Sequence, residues 1–342
     1  MGNIIKSYIT YRRAATRIDN EISAYEKLDY GVPQGSVLGP LLFLIYVNSI
    51  GSSITKSICY LFADDIIIIS NYIQNYNKMM ANLQEDFNGI CVWCGENELF
   101  INETKTQYIV ISSPHKRNAD QNINLFFHNI TCDTKNCLNK CTKLDLTNET
   151  KYLGYVIDSS WTHKKHIEYI VNRLRKLMPS LYKLKYLLNN KTKLILYYAW
   201  VESIIRYGIE VYGQASKTQV DRVQKVQNKI IKILFKSSNT IKTTDIYKKH
   251  KILNIRQLRD QIIISNNYFN PSYKKTTDTK VQTLRETTYR YDIPYVNNDY
   301  GKQCRIFVVP TLFNKLPKRL LNLNGMGSIK KELKNHMIES SW

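Results

Sequence analysis

The segment ICYLFADDIIII, residues 58–69, decides the fold of the first part of this chain. Two apolar runs flank the triplet Ala63-Asp64-Asp65, and the second run is four consecutive isoleucines. Isoleucine favours strands, and an unbroken apolar run is typical of a strand buried on both faces. Acidic residues between two such runs favour a hairpin turn. The segment therefore predicts two short strands joined by a turn that carries Asp64 and Asp65.

Helices are predicted on both sides of this hairpin. Upstream, the turn GVPQG (31–35) and the break Gly39-Pro40 precede a helix with one apolar face, formed by Leu42, Ile45 and Tyr46. Downstream, apolar residues recur every three or four positions over residues 72–97, which predicts an amphipathic helix packed on the sheet. Residues 3–30 predict a short helix and an extended segment that ends at Gly31.

The rest of the chain changes from strands to helices. Residues 108–112 predict a strand, residues 113–150 a polar insertion or loose hairpin, and residues 152–157 a strand with Gly154 inside it. Helical apolar stripes follow from residue 161, with Pro179 as a break. The last part predicts a small helical appendage interrupted by Pro294, Pro310 and Pro317. The fold class is α+β, in four segments: 1–112, 113–160, 161–240 and 241–342.

Charge is distributed unevenly along the 342 residues. The net charge is +21, yet residues 1–112 hold 8 basic and 11 acidic side chains, whereas residues 161–240 hold 16 and 4. A basic excess of this size favours a polyanionic partner, although a chain rich in Asn, Ile, Lys and Tyr can owe some of its lysines to A/T-rich codons. No apolar run reaches the ~18 residues of a membrane span. Seven cysteines without a secretory leader predict no disulfide framework and no secretion.

Asp64 and Asp65 are the strongest candidates for chemistry. Adjacent carboxylates at the start of a buried strand are unfavourable unless a cation neutralises them. Mg²⁺ takes oxygen ligands, and two such ions can stabilise the attacking and leaving oxygens of a phosphoryl transfer. The alternative is an exposed turn that happens to hold two aspartates.

Several motifs in order make the chain resemble the reverse transcriptases of non-LTR (LINE-type) retrotransposons, the Jockey-like group in particular. YGVPQGSVLGPLLF (30–43) resembles motif B, LFADD (61–65) resembles motif C, LFINETKT (99–106) resembles motif D and YLG (152–154) resembles motif E. Weaker similarities to the family's thumb, connector and C-terminal region follow at Trp161, His166, Tyr207-Gly208, Gln227-Asn228-Lys229 and Phe313–Pro317. The resemblance implies a polymerase palm with an antiparallel sheet, a helical thumb over 161–240, and a small C-terminal helical region.

The resemblance also implies roles for individual residues. Asp64 and Asp65 would hold metal, with two Mg²⁺ ions in the complete family site, and Lys105 would lie near the leaving pyrophosphate. Positions that would meet the template base or the nucleotide are Gln34, Gly35, Ser36 and Phe62. Positions that would hold the nucleic-acid backbone are Arg173, Arg175, Lys176, Arg222, Lys225 and Lys229. The structural alternatives are a helix cap for Ser36, a core position for Phe62 and a solvated side chain for Lys105.

The family's motif A aspartate has no counterpart upstream of motif B. The acids Asp19, Glu21, Glu26 and Asp29 lie in the wrong context, so we expect a palm–thumb fragment, N-terminally truncated and inactive or nearly so by itself. The implied partners are an RNA template and a DNA primer, with no membrane and no obligate protein partner, at a nuclear or cytoplasmic site. The alternative function is a catalytically inactive remnant that binds nucleic acid through its basic thumb; a splicing or telomere factor is disfavoured.

Histidines and cysteines are expected to be structural. His163 and His166 are predicted to pack against or cap a thumb helix. Cys91 and Cys94 share a helix face, and the remaining cysteines of the polar loop match no zinc-site spacing. The sequence therefore predicts no zinc site.

Overall fold

The computed structural model describes residues 2–70, 75–112, 124–128, 141–235, 242–270, 275–277 and 289–340. It forms two compact units, one from residues 1–110 and 117–147 and the other from residues 111–116 and 148–342. Helices and small two-stranded sheets are mixed in both, so the predicted α+β class is confirmed at this level. The start of the predicted helix 72–97, most of the predicted insertion, Cys132 and Cys137 lie outside the described residues.

The first unit is built from hairpins and three helices. Its helices are α1 (Gly2–Ile9), α2 (Leu38–Val47), a 3₁₀ turn (Asn48–Ser53) and α3 (Tyr76–Glu96). Its antiparallel pairs are β1 (Arg12–Ala14) with β4 (Glu26–Leu28), β2 (Arg17–Ile18) with β3 (Glu21–Ile22), β5 (Ser57–Phe62) with β6 (Asp65–Ser70), and β8 (Phe126–Phe127) with β9 (Thr142–Lys143). One parallel pair joins β7 (Gln107–Tyr108) to β10 (Asp145–Leu146).

The β5–β6 hairpin packs on α3. Ile68 of β6 contacts both small core clusters of the unit, one around Trp93 and one around Phe87. Asp86 of α3 is 1% exposed and accepts the backbone N–H groups of Thr55 (2.9 Å) and Lys56 (3.2 Å), just before β5. Apolar packing and this buried carboxylate together fix the hairpin on the helix.

Two predicted burial patterns are wrong. β6 is not buried on both faces: Ile66 and Ile69 lie on opposite faces of the hairpin and are both exposed, since of the four isoleucines only Ile68 contacts the described core clusters beside α3. On α2 the buried positions are Gly39 and Val47, whereas Ile45 is exposed. The helix sequence LGPLLFLIYV is apolar all round, so periodicity could not select its inner face.

The second unit is mainly helical. One antiparallel hairpin, β11 (Glu149–Tyr152) with β12 (Tyr155–Asp158), precedes α4 (Lys164–Leu184), α5 (Asn190–Leu196), a π-helical segment (Tyr197–Glu202), α6 (Ser203–Arg206), α7 (Ile209–Tyr212) and α8 (Lys217–Leu234). The remaining elements are α9 (Thr243–His250), α10 (Ile255–Asn267), the antiparallel pair β13 (Lys275–Thr277) and β14 (Tyr289–Tyr291), α11 (Asp299–Gln303), α12 (Arg305–Phe313), α13 (Lys318–Leu321) and α14 (Met326–Glu339).

One hydrophobic core runs through this whole unit. It joins Leu174 of α4 and Ile230 of α8 to Leu258 of α10 and Leu333 of α14. The segment 241–342 is therefore part of the same core as 161–240 and not an appendage. The predicted breaks at Pro179 and Pro310 are also wrong, because α4 and α12 continue through them. Pro317 does separate two helices, α12 and α13.

Gly154 lies in a turn and not inside a strand, which corrects the prediction for residues 152–157. Leu153 (φ 46°) and Gly154 (φ 79°) both have left-handed backbone and join β11 to β12. Two consecutive positive φ angles are the mark of a type I′ hairpin, whose twist matches that of the flanking strands. Residues 152–157, YLGYVI, are mostly apolar, so the sequence pattern predicted one continuous strand and did not indicate the turn.

None of the described helices is both long enough and apolar enough to cross a bilayer.

Candidate active site and nucleic-acid interface

The turn between β5 and β6 places the two aspartates at the tip of a hairpin. Phe62 pairs with Asp65, so the loop consists of Ala63 and Asp64 alone, and Ala63 has φ 51°. Asp64 is therefore a turn residue and Asp65 is the first residue of β6. The predicted hairpin with an acidic turn is confirmed.

The strand register assigns Asp65 to the open face of the hairpin. Residues directly opposite each other share a face, so Phe62 and Asp65 lie with the pairs Tyr60–Ile67 and Ile58–Ile69. Phe62 is 60% exposed and Tyr60 is 53% exposed, whereas Ile68 of the other face packs towards α3. The core alternative for Phe62 is therefore wrong, and Asp65 shares a surface with two exposed aromatic rings.

The carboxylates of Asp64 and Asp65 are exposed and have no lysine or arginine partner among the described residues. Their donor set suits a hard divalent cation, which takes carboxylate oxygens and completes its shell with water and phosphate. No third His, Cys, Asp or Glu of the described chain joins them in a metal-binding cluster. The two carboxylates can thus supply part of the ligand set of a divalent cation.

The glycine-containing loop before α2 combines a helix cap with exposed polar groups. Ser36 Oγ accepts the backbone N–H of Gly39 at 3.0 Å, which satisfies one of the free donors at the start of α2. Arg12 donates to the carbonyl oxygens of Tyr30 (2.8 Å) and Gly31 (2.6 Å) and so fixes the entry to the loop. The side chain of Gln34 and the backbone of Gly35 (φ 77°) remain exposed. The cap alternative for Ser36 is confirmed, and the loop still presents Gln34 and Gly35 to solvent.

Lys105 lies in a turn held by Asn102, whose side-chain oxygen accepts the Lys105 backbone N–H at 3.1 Å. Its ammonium group is exposed, in keeping with the solvated alternative. No hydrogen bond or ion pair of the described residues joins it to Asp64 or Asp65. Within the described residues Lys105 therefore makes no direct contact of this kind with the two aspartates.

The predicted backbone-binding residues lie on α4 and α8, which pack against each other. Arg222, Lys225 and Lys229 follow the spacing i, i+3, i+7 and share the outer face of α8. Arg222 donates to Gln219 at 3.0 Å, and Arg173 of α4 stands over the Tyr169 ring at 5.6 Å. None of the six residues, which also include Arg175 and Lys176, has a carboxylate partner among the described residues. Two neighbouring helices thus present unpaired cations.

A hairpin–helix junction gathers several of the family-like motifs of the second unit. The Tyr207 hydroxyl donates to the Leu153 carbonyl, and the Tyr155 ring stacks on His166 with centroids 3.8 Å apart. A Cβ at Gly208 (φ 68°) would meet the Tyr155 ring at 2.8 Å. The predicted packing role of the buried His163 and His166 is confirmed. Burial, and to a smaller extent the neighbouring His163, lower the pKa of His166 to about 4.

Sequence reasoning missed several polar side chains that join elements of the fold, one of them the fully buried Gln227. Gln227 Nε2 donates to the hydroxyl of Tyr197 (2.8 Å) and to the carbonyl of Leu253 (2.9 Å), so it joins α8 to the π-helical segment and to the connection between α9 and α10. Asn314 clamps Tyr291 by accepting its N–H (2.8 Å) and donating to its carbonyl (2.9 Å). One sequence feature could have indicated such residues: Gln227 and Asp86 are polar residues on otherwise apolar helix faces.

The first part of the sequence matches a known protein family. Residues 1–157 match the family described as reverse transcriptase (RNA-dependent DNA polymerase). No solved structure matches the chain significantly.

Three relatives are RNA-directed DNA polymerases of Drosophila transposons. The probable enzyme from transposon BS of Drosophila melanogaster is 28% identical over 281 residues, which cover 76% of this chain and 28% of that protein. The probable enzyme from transposon X-element of the same species is 27% identical, over 74% of this chain and 27% of that protein. The enzyme from mobile element jockey of Drosophila funebris is 27% identical, over 71% of this chain and 26% of that protein.

The chain thus spans about a quarter of the length of the curated relatives it matches. The resemblance inferred from motifs B, C and D is confirmed: residues 1–157 match the reverse transcriptase family, and most of the chain is similar in sequence to RNA-directed DNA polymerases of non-LTR retrotransposons.

Proposed function

We propose that this chain takes part in RNA-directed DNA synthesis and that Asp64 and Asp65 hold the divalent cation of the reaction. The observation that carries the proposal is the register of β5–β6, which puts Asp65 opposite Phe62 on the open face of a hairpin within the family-matching residues. An exposed carboxylate pair without a lysine or arginine partner can accept a cation without first breaking an ion pair.

Each group of this site has a defined task. When bound, the divalent ions lower the charge of the reacting phosphate and stabilise the attacking and leaving oxygens. Phe62 supplies an exposed ring beside Asp65 for the terminal base, and Gln34 supplies an exposed amide for a template base or nucleotide. Lys105 would contribute positive charge near the leaving pyrophosphate. A nuclear site of action belongs to the same proposal.

Cation binding tests the metal site without relying on activity. The full chain is titrated with Mn²⁺, observed by its electron paramagnetic resonance signal, for the parent and for Asp64→Asn and Asp65→Asn. Loss of one carboxylate ligand should weaken binding by about tenfold or more. Asp19→Asn is the matched control, because Asp19 occupies the exposed turn of the β2–β3 hairpin in the same unit. Equal binding by all three variants would contradict the assignment.

Primer extension on an RNA template then tests catalysis. Mg²⁺-dependent synthesis that Asp65→Asn abolishes and Asp19→Asn retains would establish polymerase activity in this chain. Cation binding without extension by the parent protein would favour the second candidate function, a catalytically inactive nucleic-acid-binding protein.

The unpaired cations of α4 and α8 favour a nucleic-acid-binding protein, the second candidate. A polymerase, the first candidate, would need the same cations to hold its template and primer. An RNA–DNA duplex would lie along Arg222, Lys225 and Lys229, whose charges no described carboxylate neutralises. Replacing all three by Gln should reduce the slope of log affinity against log salt by about 2 to 3, since each lost phosphate contact contributes about 0.7–0.9. The control replaces Lys248, Lys249 and Lys251 at the end of α9 by Gln. Equal slopes for the two triple variants would rule out this face of α8.

A further inference from the structure

A large cavity in the second unit, separate from the basic face of α4 and α8, has the composition of a ligand site. Its volume is about 970 Å³, the size of sites that hold nucleotide-sized molecules. It lies among α6, α7, α10 and α14. Apolar residues such as Ile209, Leu253 and Ile262 form part of the lining, and charged side chains form another part.

The charges of the lining favour an anion. Arg206, Lys330, Lys331 and Lys334 outnumber Glu202 and Glu210.

Both acids of the lining are already engaged. Glu202 pairs with Arg206 at 2.8 Å, and Glu210 accepts the amide of Asn266 at 2.9 Å. Lys334 donates to the hydroxyl of Tyr198 at 2.9 Å. The ammonium groups of Lys330 and Lys331 have no hydrogen bond or ion pair within the described chain, so two adjacent positive charges remain available.

A buried hydroxyl in the same lining lacks a partner. Ser265 of α10 is 2% exposed, and its Oγ makes no hydrogen bond to the part of the chain that the structure describes. Helical serines usually satisfy this group with the carbonyl four residues earlier, and a buried hydroxyl without a partner is unfavourable. A ligand oxygen would satisfy the hydroxyl once the Ser265 side chain turns into the cavity that it lines.

The wall that carries the two free lysines is held firmly. Gln261 and Gln257 of α10 donate to the carbonyls of Lys330 (2.9 Å) and Met337 (2.5 Å) on α14. At Gly327 of α14 a Cβ would meet nothing within 4 Å, so open space reaches the first turn of that helix. The cavity is therefore preformed, which reduces the ordering cost of binding.

We infer that this cavity binds a phosphate group carried on an aromatic or apolar body, such as a mononucleotide or the phosphorylated end of a nucleic-acid strand. The lysines Lys330 and Lys331 would hold the phosphate oxygens, the Ser265 hydroxyl would donate to the ligand, and the apolar lining would cover the body. The inference does not depend on Asp64 and Asp65 or on the cations of α4 and α8.

Calorimetric titration of the full chain tests the inference with adenosine monophosphate, adenosine, and a 5′-phosphorylated dinucleotide. We expect saturable one-to-one binding of a phosphorylated probe, and at least tenfold weaker binding of adenosine. Preference for the mononucleotide would identify a free nucleotide as the source of the phosphate, and preference for the dinucleotide would identify a strand end. Failure of both phosphorylated probes to bind at millimolar concentration would overturn the inference.

Two variants separate the cavity from the general positive charge of the protein. Lys330→Gln with Lys331→Gln should weaken binding of the phosphorylated probe by about tenfold, whereas Lys248→Gln with Lys249→Gln, an exposed adjacent pair on α9, should change it less than twofold. Ser265→Ala should weaken binding at least threefold without lowering the stability of the unit, since it removes an unsatisfied group. Equal effects of the two lysine pairs, or unchanged affinity in Ser265→Ala, would contradict the site.

Discussion

The first compact unit leaves apolar side chains of α2 and of the β5–β6 hairpin in solvent, whereas the second buries its apolar stripes in one continuous core. Leu44 of α2 is 51% exposed, and Leu174 of α4 is fully buried. The acidic pair lies on the exposed hairpin, and the unpaired cations lie on helices whose inner faces form the core. The acidic pair proposed to hold the cation therefore lies on an exposed hairpin, whereas the basic residues proposed to hold nucleic acid lie on the outer side of a helical core.

Truncation of a leucine side chain should give the largest difference between the two units in the free energy of unfolding. Leu174→Ala should lower the free energy of unfolding by about 2–5 kcal/mol, because it leaves a cavity among packed helices. Leu44→Ala should change it by less than about 0.5 kcal/mol, since its side chain already meets water. Urea unfolding monitored by circular dichroism measures both. Similar losses would show that α2 is covered in solution.

Replacing one glycine in each unit tests the same difference in packing, because Gly35 and Gly208 have similar positive φ angles. Gly208→Ala and Gly35→Ala both place a methyl group at a positive φ, which costs about 1–2 kcal/mol. At Gly208 the methyl group also overlaps the Tyr155 ring, which adds about 1–3 kcal/mol, whereas at Gly35 it meets nothing within 4 Å. Thermal unfolding of both variants gives the difference. Equal destabilisation would mean that Tyr155 can move aside.

Lowering the pH should reduce the free energy of unfolding of the second unit, because His166 is protonated more readily in the unfolded chain. Its pKa is lowered to about 4 by burial and by His163, while the unfolded chain titrates near 6.5. Between these values the unfolded state binds more protons, so the free energy of unfolding falls as the pH is lowered, by about 2–3 kcal/mol in total. His166→Gln should flatten this dependence. An unchanged slope between pH 6.5 and 4 would exclude His166 as its source.

Asp86 should give the smallest effect, and it acts on the first unit. Burial alone would raise its pKa, but the backbone N–H groups of Thr55 and Lys56 lower it below the ordinary 3.8. Its stabilisation is therefore complete above that value and is lost as the pH falls through the lower folded pKa. Asp86→Asn should cost about 1–3 kcal/mol at neutral pH. Glu85→Gln, at the exposed neighbouring position, is the control for urea unfolding, and an equal loss there would contradict the buried role.

Local sequence determined the hairpin with its acidic turn, the helices of residues 76–96, 164–184 and 217–234, and the family, because turn chemistry, apolar periodicity and motif order are all written in short stretches of chain. The tertiary structure alone decided which sides are covered. Four isoleucines are compatible with burial or exposure, and α2 is apolar on every side, so the inner face depended on what packs there. The single core of the second unit and the cavity beside Ser265 join residues far apart in sequence, and such contacts have no period that a sequence can show.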